Sequence, residues 1–207
     1  MMIANAFPPK LVQKPAYPWA ERISESQAIQ AIENAETGIC KYLSLMKRYE
    51  AVDVSSDMKF QVAYKGFYRV RQKAEAWYQA YFGLMQECRS QRPEFAEILE
   101  ELRLRLGSNR CEASFASKLV ATLNPDRPVW DRYVLKSLGL KWPGRKSDDK
   151  HKGAVTLYAS MRHDLESFLT TDTAHRWIGL FNERVVGSDR ISDMKKVDFI
   201  LWQNRPP

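Results

Sequence analysis

The stretch Ser114–Leu140, "SFASKLVATLNPDRPVWDRYVLKSLGL", decides the reading of the chain. Apolar residues recur at helical spacing over about Ser114–Leu123 and again over about Arg132–Leu138. Between them lies Asn124–Trp130, stiffened by Pro125 and Pro128, whose rings fix φ. Asp131 stands where the second helix begins. An aspartate there accepts hydrogen bonds from first-turn N–H groups. A carboxylate held at a helix start can equally face a groove and stabilise a developing positive charge. Lys118 lies 13 residues upstream on the preceding helix. If the two helices run antiparallel, Lys118 and Asp131 share a cleft, and desolvation turns the lysine into a nucleophile. The alternative is a surface lysine or a structural ion pair.

Helical periodicity extends outward in both directions. Residues 1–22 contain four prolines and read as an extended arm, with Tyr17 and Trp19 as docking anchors. Residues 23–207 read as one all-α domain or two helical lobes, with the helix-loop-helix of 108–140 at the cleft. Ser24 and Gln27 have capping-box spacing, and Gly38 is a potential break in the helix they open. From Phe60 to Met85 the aromatic residues fall on one face of what reads as a single long helix. That stripe is read as core, with a base-stacking platform as the alternative. Phe95–Leu106 is a compact helix with Pro93 in its first turn and Gly107 as its stop. Three further helices follow, and "KKVDFILWQNR" closes the chain by docking on the core. Asp198 could instead approach the cleft. No alternating pattern persists, so the class is all-α with seven to nine helices.

The chain of 207 residues carries a formal charge of +7, and the excess is local. Residues 108–152 hold ten Lys/Arg against five Asp/Glu, as a polyanion-binding patch would. Cys40, Cys88 and Cys111 are widely spaced without a CxxC, which fits free thiols in the cytoplasm. The N-terminus lacks the pattern of a secretion signal, and no apolar run reaches the ~20 residues that span a bilayer. Phosphate-loop, dinucleotide-binding and nucleophile-elbow motifs are absent. His151, His163 and His175 have no zinc-site spacing, so neither a metal nor another cofactor is expected. His163 and Asp164 are adjacent on a helix and face apart.

The order of apolar helix, short loop, "P-x-x-D" and helix resembles the helix–hairpin–helix DNA glycosylases, especially their 8-oxoguanine-type members, over about residues 106–140. The resemblance implies a two-lobed all-α fold that flips a damaged base out of DNA. It gives Asp131 the place of the family's essential aspartate. It implies phosphate contacts from Arg110, Arg127, Arg132, Arg145 and Lys146, and a pocket beside Trp130. The chain departs from the family at "RLGSNRCEAS", where a glycine-rich hairpin is usual and only Gly107 occurs. The lysine of lyase members would fall on Glu112 or Ala113. The competing expectation is a non-catalytic helical module of the same fold that binds a protein or nucleic-acid partner.

Overall fold

A computed structural model describes residues 17–107, 110–142 and 149–204. Among them are ten α-helices, one 3-10 turn and no strand. In chain order they are α1 (Pro18–Glu21), α2 (Glu25–Ala51), α3 (Met58–Tyr68), α4 (Glu75–Glu87), α5 (Phe95–Leu106), α6 (Ala113–Leu123), α7 (Arg132–Ser137), α8 (Lys150–Phe168), α9 (Asp172–Arg184) and α10 (Asp193–Gln203). The 3-10 turn, Ser188–Arg190, precedes α10.

Local chemistry explains most of these ends. Ser24 and Gln27 form the expected capping box at the start of α2. Glu94 and Glu97 form another at α5, so that helix opens after Glu94 and not at Pro93. Gly107 closes α5 in the left-handed conformation that glycine adopts at little cost. Gly38 does not interrupt α2. A Cβ there would sit 3.7 Å from Phe199, which is ordinary contact.

The long helix expected over 60–85 is two helices. Tyr68 ends α3, and Arg69 takes a left-handed conformation at φ 54°, followed by Gln72 at φ 59°. The N–H groups of Arg69 and Val70 both return to the Lys65 carbonyl. The reason lies in the stripe itself. In one continuous helix Phe60 and Phe82 would stand ~33 Å apart at 1.5 Å per residue. Folded back, their ring centroids are 6.2 Å apart. The Tyr64 and Tyr81 hydroxyls meet at 2.8 Å, and Tyr81 donates on to the Phe115 carbonyl of α6 at 2.9 Å. The stripe is therefore core, as its periodicity suggests: Phe60, Tyr64, Tyr81, Phe82 and Met85 are fully buried.

The described end of the N-terminal arm, residues 17–22, is not extended, because Pro18–Glu21 make one helical turn. Tyr17 and Trp19 do anchor it, both against the buried Phe168 of α8. This turn and the division of the aromatic helix bring the count to ten. The last helix docks as expected: α10 packs along α2, α7 and α9 with Phe199, Ile200 and Leu201 buried. No helix of the described residues is long and apolar enough to cross a membrane.

Candidate functional site

The loop between α6 and α7 is held by its own carbonyls. Ser192 donates to Pro125 O at 2.6 Å and Tyr158 to Pro128 O at 3.0 Å. Trp130 is clamped on both sides by α6: its N–H donates to Ser117 Oγ at 2.9 Å, and its carbonyl accepts from Ser114 Oγ at 3.2 Å. Ser114, Ser117 and Lys118 are three and four residues apart, so they share one helical face. The face that grips Trp130 therefore also brings Lys118 towards Asp131. Ser117→Ala should leave the buried Trp130 N–H without an acceptor. We expect a loss of about 1–3 kcal/mol in urea denaturation.

Lys118 and Asp131 line one cavity of about 670 Å³, walled by α2, the end of α3, α6, the α6–α7 loop and α10. Asp131 caps α7, with Oδ1 accepting from Tyr133 N at 2.8 Å. Its other oxygen takes part in no hydrogen bond with the described residues. The carboxylate is partly exposed. One oxygen thus caps α7, and the residue also lines the cavity. Lys118 makes no ion pair with Asp131 or any other carboxylate among the described residues. Its ammonium lies 5.0 Å from the Phe115 ring centroid. Burial pushes the Lys118 amine down to about 8, against the opposing pull of the Asp131 carboxylate.

Trp130 is buried and lines the same cavity. It lies parallel to Phe95 and edge-on to Trp142 at 5.1 Å. Of the cations expected to contact phosphate, Arg132 is exposed on the cavity rim, its guanidinium over the Tyr133 ring at 4.6 Å. Arg110 is exposed before α6 and does not line the cavity. Arg145 and Lys146 lie outside the described residues.

Arg127 is a correction. It bridges Glu94 (2.9 Å) and Glu166 (3.0 Å), and Arg162 bridges the same two carboxylates at 2.8 Å each. This closed ring of four charges ties the loop to α5 and α8. A guanidinium committed to two carboxylates is a brace, not a phosphate ligand. Glu112 is likewise committed, to Lys73 at 2.7 Å, and Ala113 is buried.

Of the α10 wall, the sequence raised only Asp198, as an alternative to simple docking on the core. Lys195 Nζ pairs with Asp198 Oδ2 at 2.5 Å. It sits among the rings of Tyr42, Phe67, Tyr68 and Phe199, at 5.0 to 5.8 Å from their centroids. Asp198 lines the cavity, and its Oδ1 has no hydrogen-bond partner among the described residues. The Tyr68 hydroxyl is buried without a hydrogen-bond partner among the described residues; Thr122 lies beside it but donates to Lys118 O at 2.7 Å. The available signal was spacing. Lys195 stands four residues before Phe199 and Asp198 four before Trp202, so both charges share helical faces with aromatics.

Chemically, the cavity offers an amine of lowered basicity, two carboxylates each with an open oxygen, and six aromatic side chains. No family model, curated protein or solved structure matches the chain.

Proposed function

We propose that this protein binds DNA and cleaves an N-glycosidic bond, as the resemblance to helix–hairpin–helix DNA glycosylases implies. One observation carries the reading. Lys118 and Asp131 line a single cavity and are not paired to each other, and among the described residues neither the Lys118 amine nor the second Asp131 oxygen has an ion-pair or hydrogen-bond partner. With a value of about 8, Lys118 holds a neutral amine in about a fifth of molecules near pH 7.4.

The chemistry follows from that amine. Its lone pair attacks C1′ of the deoxyribose. The bond from C1′ to the base breaks, and the base leaves with the bonding electrons and takes a proton from solvent. The Asp131 carboxylate stabilises the positive charge that grows on the sugar. Asp131 also accepts the proton that the attached nitrogen sheds. The C1′–O4′ bond then opens under the nitrogen lone pair, O4′ takes that proton back from Asp131, and a protonated imine to Lys118 remains. Phe199, Trp202 and Trp130 offer faces for an extruded base, and Asp198 Oδ1 offers an acceptor for a ring N–H.

The test is a set of duplex oligonucleotides, each bearing one damaged base, incubated with the protein with and without borohydride. We expect base release at one lesion class, read as strand breakage only after hot alkali, and a borohydride-fixed adduct at Lys118. Cleavage without an adduct assigns Asp131 to activating water instead. Binding without any cleavage leaves the non-catalytic module.

A further inference from the structure

The cavity is lined by five cations, Lys41, Arg69, Lys118, Arg132 and Lys195, against two carboxylates, Asp131 and Asp198. Lys195 is neutralised by Asp198. Lys41, Arg69 and Arg132 are different. All three are exposed, they come from α2, the end of α3 and the start of α7, and none pairs with a carboxylate among the described residues. Arg69 lies over the Trp202 ring at 5.3 Å and Arg132 over the Tyr133 ring at 4.6 Å. Stacking of this kind holds a guanidinium in place while leaving N–H groups for an anion.

Arg69 carries a second observation. Its backbone is left-handed, φ 54° and ψ 41°, at the C-cap of α3. That conformation is strained for any residue with a Cβ and is where glycine is favoured. Among the described residues, this exposed arginine makes no ion pair that would offset the strain. An arginine side chain at a position that suits its backbone poorly points to a role for the side chain.

We propose that Lys41, Arg69 and Arg132 form a phosphate-binding rim that holds the DNA backbone on either side of a nucleotide entering the cavity. This rests on the DNA reading above and replaces Arg127 in the expected set of phosphate contacts. The rim positions the strand and carries no sequence information.

The experiment measures the affinity of a labelled lesion-free duplex by fluorescence anisotropy across a salt series. The proteins compared are the wild type, Lys41→Gln, Arg69→Gly, Arg132→Gln and a control, Lys59→Gln, away from the cavity. Each rim variant should lower the slope of log affinity against log salt by about 1. Arg69→Gly should bind about tenfold more weakly, yet melt at the wild-type temperature or above, because glycine relieves the backbone. Unchanged slopes in the rim variants overturn the proposal. So does an equal fall with Lys59→Gln, or no wild-type binding at low salt. Slopes that fall as expected with no lesion cleaved keep the rim and remove the base-excision reading. Cleaved lesions with unchanged slopes remove the rim alone.

Discussion

Lys118→Met should abolish the borohydride-fixed adduct and, at the same time, make the protein more stable. The two effects share one cause. The amine sits in a partly apolar site beside the Phe115 ring with no carboxylate bonded to it, and burial lowers it from an ordinary value of 10.5 to about 8. Below pH 8 both folded and unfolded chains hold the proton, and the folded state bears the full cost of burying the charge. Between about 8 and 10.5 the unfolded chain binds a proton that the folded chain has lost, so wild-type stability rises with pH across that interval. Methionine removes the charge and keeps the apolar stem. We expect a gain of about 1–3 kcal/mol at pH 7, shrinking towards zero as the pH passes 10. Adduct formation by the wild type should climb to a plateau above pH 8 as the neutral amine accumulates. A variant that loses stability, or a wild-type adduct yield that is flat from pH 6 to 9, would count against the amine as nucleophile.

The uneven legibility of this chain has a physical origin in which contacts are local. Asp131 was readable because a helix cap is set by its own four residues: the loop prolines, the aspartate and the first-turn N–H of Tyr133. The same holds for Ser24 with Gln27 and for Gly107. The aromatic stripe of 60–85 gave the core but hid the break. Arg69 and Gln72 turn the chain without glycine or proline, and the contact that drives the turn joins Phe60 to Phe82 across it. Arg127 looked free in a basic stretch because its partners, Glu94 and Glu166, lie 33 and 39 residues away. Lys195 and Asp198 read as part of a terminal helix docking on the core, with Asp198 as an alternative approach to the cleft. They become a cavity wall only when α2 and α3 close over them with Tyr42, Phe67 and Tyr68. What is set within one turn of chain was visible, and what needs two distant helices to meet was not.

Asp131→Asn should separate the two roles of this side chain. Asparagine caps a helix about as well as aspartate, so the hydrogen bond to Tyr133 N persists and the melting temperature should stay near the wild type. The charge is lost, and with it the group proposed to stabilise a cationic sugar and to receive the proton. Single-turnover cleavage should fall about a hundredfold or more, while affinity for DNA holds or tightens because a negative charge has left a cationic cavity. Lys118 responds in the opposite sense: without the carboxylate its amine becomes less basic still, so the fall in rate cannot be ascribed to a shortage of neutral amine. Asp131→Ala completes the comparison, since it removes cap and charge together. It should match the asparagine variant in cleavage and lose about 1 kcal/mol more in stability. If the asparagine variant instead cleaves at the wild-type rate and only the alanine variant is impaired, Asp131 serves α7 alone, and the chemistry assigned to the cavity must rest on Lys118 without it.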